Sequence, residues 1–492
     1  MIITIGVMFV TGLLLVAAFT AANGDINLSH RDLTQKQAYY GALAGLQEYN
    51  NLLQANPDYW QTCKAPSGKL PEGSESFEVT LLKASTAPES TKGCETTNSF
   101  VSMIESKGTL ANTFRVMSTG KAGNSTRSLV ATFQVTGFLN YIYFTQYEVR
   151  DPETYGGNAE CANYRAQREK LGILGECGTI VFGPEDTVNG PLHTDDTAVV
   201  CGGAEFGRPK HEPPDFVEMN GGTAEGCGGG SGIYNTPTGS WIKGPELVAP
   251  ESDGSLKLYI EHEPQENEFT GLTYLVLEGT KIKVTSVNKK VKTEKTIEWP
   301  KNGLLYVQRG NGNCTYEYRQ TAADTSKTLE EEEPCGTVYV SGNYSKSLTI
   351  AAEDDLVING SITQTGVAPP AAPSSTTTLG LIATKFIRIY HPCSGGSNGG
   401  GSLSNPWIYA AILSTSHSFL VDNYNCGSPL GNLNIYGAIG QKFRGVVGIV
   451  GTNGYNKEYI YDERLATDEP PYFLAPLKAG WRIARQTAPQ GG

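Results

Sequence analysis

TQKQAYYGALAGLQEY, from Thr34 to Tyr49, is the stretch whose reading decides the architecture. Tyr39, Ala42, Leu46, Tyr49 and Leu53 recur at spacings of 3, 4, 3 and 4, which places them on one helical face. Gly41 and Gly45 are weak helix formers, but their small size lets another backbone approach closely. Pro57 ends the pattern. Upstream lies MIITIGVMFVTGLLLVAAFTAA, residues 1–22, without a charged side chain and separated from the amphipathic run only by Asn23 to Leu33. About 20 such residues span a bilayer core as a helix. A helix continuous from Met1 to Leu53 is roughly 80 Å long, and Gly24 is a place for a kink or fraying.

Three readings of the apolar segment stand side by side. A secretory signal peptide has small residues for cleavage at Thr20-Ala21-Ala22, but no positive n-region precedes them. A single-pass anchor needs only the length. The third reading makes one helix of two halves, an apolar one that anchors and an amphipathic one that packs on a domain.

The chain has 492 residues, room for two to four domains. Hydrophobic content of 39% and charged content of 18% are low, while Gly (58) and Tyr (25) are abundant. That balance suits a β-rich, loop-rich extracellular protein. A net charge of −12 and the absence of a basic cluster argue against nucleic acid as partner. The ten cysteines are Cys63, Cys94, Cys161, Cys177, Cys201, Cys227, Cys314, Cys335, Cys393 and Cys426. None forms a CxxC, so zinc spacing and a redox dithiol are both missing. Five disulfides in an oxidising compartment are expected. Pairing neighbours in order, the simplest of the available connectivities, closes short loops worth a few kcal/mol each.

After Cys63 the period changes to 2. Ser76 to Leu82 alternates between Gly73 and Pro88. Thr113 to Val116, the turn signal STGKAGNST, and Arg127 to Gly137 read as a hairpin, with Leu129, Ala131, Phe133 and Val135 on one face. Phe138 to Val149 is aromatic-rich and reads as a further strand or a bridge into the large C-terminal region.

The stretch QAYYGALAGLQEY is similar to the QAxxAAEAGL signature of PilX-like minor pilins. Gln37, Ala38, Ala42, Ala44, Gly45 and Leu46 match, whereas Gly41 replaces the first alanine of the pair and Leu43 the glutamate. An apolar helix running into an amphipathic half, followed by the hairpin TFRVMSTGKAGNSTRSLVATFQV, resembles type IV pilins and pseudopilins over about residues 1–140. Precursors of that family carry a short basic leader ending in Gly, and its members often have an acid early in the mature helix. Here the first acid is Asp25. The expectation is a true start upstream of Met1, a trimmed chain, or a pilin-like anchor.

Residues 151–480 show short strands separated by Gly and Asn, with similar turns at Val188-Asn189-Gly190 and Ile358-Asn359-Gly360. Spacing of about 8 to 10 residues near 338–362 suits the rungs of a right-handed β-solenoid better than a β-sandwich. LTYLVLEGTKIKVTSV and KTIEWPKNGLLYVQ read as inserted hairpins. GGTAEGCGGGSG, SGGSNGGGSLSNP and GVAPPAAPSSTTT are loops without a phosphate-cradle pattern. Glu330 to Glu333 reads as a solvated acid run. His193 with Asp195 and Asp196, and Asp354 with Asp355, are candidates for acid–base chemistry. Strand-to-turn aspartates also cap backbone N–H groups, and that plainer reading is preferred for both pairs.

The fold class expected is mainly β with a long N-terminal α-helix: a pilin-like helix and small antiparallel sheet, then a right-handed β-solenoid. The domains expected are a helix over 1–54 (transmembrane over 1–22), a β headgroup over 55–150, a β-rich domain over 151–480 and a tail over 481–492. The resemblance implies a non-enzymatic, membrane-anchored minor pilin-like protein of the cell surface, acting in type IV pilus assembly or adhesion. Its assembly helix would use Ile2, Ile5, Val7, Phe9, Leu13, Val16, Tyr39, Ala42, Gly45 and Leu46. Its partners would be other pilins or pilus assembly proteins, the membrane, and a surface or glycan target, with no cofactor, metal or catalytic residue. The alternatives are a cell-surface polysaccharide lyase or hydrolase with a β-helix fold and a structural, polymer-forming surface protein.

Overall fold

The computed structural model describes the chain except residues 57, 72–74, 84–91, 95–102, 104–112, 156, 213, 261–266, 316–331, 450, 478–479 and 489–492. The side chains of residues 2, 19, 21–28, 155, 288, 394, 482, 484 and 485 are likewise outside the description. Pro57, Gly73, Pro88, Glu330 and Glu331 therefore lie outside the described residues.

Two compact units form, one from residues 1–136 with 480–492 and one from 137–479. In the first, helix α1 spans Ile2–Ala55, 54 residues, or about 80 Å at the usual rise. Asn56 ends it in an extended conformation, its N–H donating to the Leu52 carbonyl. Strands β1 (Ser67–Lys69), β2 (Ser76–Leu81), β3 (Thr113–Ala122) and β4 (Ser125–Val135) form an antiparallel sheet in chain order. Only Gly123 and Asn124 separate β3 from β4, so both strands run through most of the expected turn. Gly123 supplies the positive φ of +54° that this tight connection requires.

The last strand of this sheet is Trp481–Thr487, antiparallel to β4. Residues 481–492, expected as a tail, thus contribute an edge strand. Trp481 contributes to the core as well, its ring 4.7 Å from Phe114. The boundary expected at 150 falls instead after Thr136, because Tyr143–Tyr147 pairs with strands of the second unit.

The right-handed β-solenoid expected for the second unit is corrected. Its strands belong mainly to one large mixed sheet of 21 strands, with antiparallel members. One parallel ladder runs Glu268–Thr270, Leu304–Gln308, Leu348–Ala352, Leu379–Ala383, Trp407–Ser414, Pro429–Phe443, Tyr143–Tyr147, Leu192–Thr194 and Val217–Met219. Tyr143–Tyr147, first in the unit's sequence, sits between late and early strands, so stacking does not follow chain order. Thr273–Gly279, Lys281–Asn288 and Val291–Glu298 form an antiparallel meander that further breaks any regular repeat. Leu304–Gln308, expected in a second hairpin, instead joins the parallel ladder. The strands read as near-continuous apolar runs, such as IYAAIL at 408–413, because both of their faces are covered.

Candidate functional site

Helix α1 carries two different surfaces. In its second half Ala38, Ala42, Leu46, Tyr49 and Leu53 are fully buried. Most of them cluster with Val79, Leu81, Phe114, Val116, Ala131 and Phe133 of the sheet. The backbones approach closely there. A Cβ on Gly45 would lie 2.2 Å from Ser118 Oγ, and one on Gly120 would lie 2.0 Å from the Ala38 carbonyl oxygen. Tyr39, expected on this face, is instead 42% exposed. The residue one turn before Ala42 on the buried face is Ala38, four positions back rather than three, and Gly120 lies against the helix backbone there. Burial pushes the Tyr49 hydroxyl above its usual range.

The first half is the reverse. Ile5, Val7, Phe9, Leu13 and Val16 are all exposed, Phe9 at 70%. The Ile2 side chain lies outside the described residues. Cβ atoms on Gly6 and Gly12 would meet nothing within 4 Å. The hydroxyls of Thr4, Thr11 and Thr20 donate back to the carbonyls of Met1, Val7 and Val16 at 2.7, 2.8 and 2.8 Å. Those polar groups are satisfied inside the helix, as an apolar environment requires. Among the described residues no helix is long and apolar enough to cross a membrane, so the transmembrane segment expected over 1–22 is not found among them.

The ten cysteines pair as Cys63–Cys94, Cys161–Cys177, Cys201–Cys227, Cys314–Cys335 and Cys393–Cys426. Each bridge closes a local loop, with sequence separations from 16 to 33 residues. Cys314, Cys335 and Asp354 form the one grouping of metal-ligating types among the described residues. Its two sulfurs are joined to each other and offer no thiolate.

The candidate acids of the second unit are all buried. His193 lies in register between Phe144 and Glu218 on adjacent parallel strands. Its Nδ1 is 2.8 Å from Glu218 Oε2 and its Nε2 is 2.9 Å from Asp195 Oδ1. Tyr141 donates to Glu218 at 2.6 Å and Asn220 to Asp195 at 2.9 Å. Burial alone would lower the imidazole pKa, but the two carboxylates outweigh it and push it up to about 9.

Asp196 turns away from this group and pairs with buried Arg168 at 2.7 Å. Asp354 meets Arg309 at 2.7 Å and Lys385 at 3.1 Å. Burial would raise its pKa, but these cations hold it below the usual range. Asp355 faces Arg388 at 3.1 Å, which also pairs with Asp422 and Glu332. Each pair of neighbours in sequence is thus split between two ion-pair groups, so neither forms a pair of carboxylates facing a common space.

Several participants have no local signal. Glu218 and Arg388 reach these acids from strands, and Arg168 from the short helix Arg165–Lys170, each tens of residues away. Asp253 is another: its Oδ1 accepts from Tyr306 at 3.0 Å and Thr384 at 2.9 Å, and its Oδ2 has no partner among the described residues. Burial pushes its pKa up to about 7.

No family model matches the chain, and no curated protein matches it. Among solved structures, the chain is similar to the competence-associated pilin ComZ from Thermus thermophilus. The two are 12% identical, with a TM-score of 0.28, over 92% of this chain and 97% of that one. A likeness of that degree carries no argument about fold or function.

Proposed function

We propose that this chain is a non-enzymatic, pilin-like surface protein acting in type IV pilus assembly or adhesion. The division of α1 carries the reading. One face of its second half is used up in covering an antiparallel sheet, whereas its first half presents large apolar side chains that no described residue covers. Apolar area costs roughly 25 cal/mol per Å² while it faces water. The segment therefore belongs against other apolar helices, and helices of other pilin subunits offer such a surface. Ile5, Val7, Phe9, Leu13 and Val16 would make that contact by van der Waals packing. The β-rich second unit would then face a partner or surface outside the cell, where its disulfides persist.

The test is recovery of the protein in sheared pili. The unmodified chain is expected in that fraction. A Phe9→Asp, Val16→Asp double variant is expected to be lost from it while keeping its disulfides and melting temperature. Absence of the unmodified chain from the pili of a piliated cell that expresses it, with adhesion unchanged when it is deleted, would refute the proposal.

A further inference from the structure

A second parallel ladder of the large unit contains Pro429–Phe443, Asn453–Tyr461, Thr187–Asn189, Glu205–Phe206 and Ile233–Tyr234. Among the described residues no strand pairs with the outer edge of Ile233–Tyr234. The strand Thr223–Glu225 likewise pairs only with Ala198–Val200. This is the end of the stack, and a cleft of about 670 Å³ opens there.

A column of rings runs to this end. Phe182 meets Phe206 edge-on at 5.0 Å, and Phe206 stacks on Tyr234 at 5.3 Å with 12° between the planes. Phe182 and Phe206 are fully buried, whereas Tyr234 is half-buried and is the last ring of the column. One of its faces is covered by Phe206, and the ring lines the cleft. Trp241, also half-buried, lines it too, held beside the positive-φ Gly222. The remaining polar lining is Thr223, Glu225, Ser231 and Ser240. No lysine or arginine is among the lining residues, and Glu225 is their only charged side chain. The Cys201–Cys227 disulfide pins the glycine-rich loop that forms one wall.

We infer that this cleft binds a neutral oligosaccharide. A pyranose ring has an apolar C–H face, which suits the flat surfaces of Tyr234 and Trp241. It also has a rim of hydroxyls, which suits small hydroxyl side chains and a carboxylate acceptor. An anionic glycan or a phosphate ligand would find no cation in the lining. A mostly apolar small molecule would find too few apolar walls. The edge strands, only two and three residues long, disfavour addition of a strand from a second copy. Encounter with a glycan rests on the surface location proposed above, whereas binding in solution does not, so the two can fail separately.

The test is calorimetry and tryptophan fluorescence on the full chain in a sugar-free detergent. The probes are cellotetraose, maltotetraose and chitotetraose, with tetragalacturonate as the anionic comparison. At least one neutral tetrasaccharide is expected to bind and the galacturonate not to. Trp241→Ala and Tyr234→Ala are each expected to weaken binding about tenfold or more, and Tyr234→Phe by less than about threefold. Equal melting temperatures for Tyr234→Phe and the unmodified chain keep the reading clear of misfolding. Binding of tetragalacturonate alone, binding untouched by both alanine variants, or no binding of any neutral probe would overturn the inference. Self-association abolished by the same variants, with no sugar bound, would assign the cleft to a second copy and overturn it too.

Discussion

The first unit covers its sheet with one helix, and its buried side chains are rings, aliphatics and small residues. Among its described residues no charged side chain is buried. The second unit buries Arg444 against Glu148, Arg168 against Asp196, Arg388 against Asp355, and His193 between Asp195 and Glu218. The difference follows from pairing geometry. A helix laid on an antiparallel sheet needs only shape and apolar area. Where parallel strands pair in register, as at His193 and Glu218, charges on neighbouring strands meet. The other buried pairs have at least one partner just beyond a strand end, and Arg168 comes from a short helix. The first unit is therefore sensitive to volume, and the second to charge and pH.

The largest effect expected is in the second unit. Arg444→Met leaves Glu148 buried without its 2.8 Å partner and is expected to cost about 3–5 kcal/mol in urea unfolding. Adding Glu148→Leu should recover most of that loss, and failure to recover it would break the charge half of the comparison. In the first unit, Leu46→Ala removes a fully buried side chain and should cost about 3 kcal/mol. Trp60 and Trp481 belong to the same aromatic cluster and report the change by fluorescence.

The pH dependence comes next. The His193 pKa is raised from 6.5 to about 9 by its two carboxylates. Its stabilisation is complete below about pH 6.5 and is lost as pH rises through 9, up to roughly 3 kcal/mol. His193→Gln should flatten the unfolding free energy of the second unit over that interval, while Leu46→Ala leaves its slope unchanged. The smallest effect is Gly6→Ala. With open space around that Cβ, it should stabilise the local helix by about 1 kcal/mol. Slower amide exchange near residue 6 checks it, and the packed Gly45 should show the opposite sign.

Local patterns carried much of the first unit. The 3–4 spacing of Ala42, Leu46, Tyr49 and Leu53 needs no partner to be read, and the β3–β4 hairpin is separated by two residues. Ala38 rather than Tyr39 faces the sheet where Gly120, some 80 residues away, comes against the helix backbone, and no helical period encodes that approach. The second unit was legible as β-rich, but its stacking was not. Tyr143–Tyr147 lies beside Pro429–Phe443 because of apolar faces that match many strands equally well. His193 meets Glu218 through register, and register leaves no mark on either residue alone. The exposed half of α1 was legible for a simple reason, since a run without charge stands out wherever the chain then folds.

The exposed half of α1 is proposed to pack against the helices of pilin subunits. All ten cysteines are paired, so Phe9→Cys introduces a single free thiol. Cross-linking in piliated cells, followed by shearing and mass spectrometry, reads its neighbours directly. A cross-link from position 9 to the apolar helix of a pilin subunit is expected in the sheared fraction. Cross-links confined to other proteins, or none in a fraction that contains intact pili, would contradict that packing.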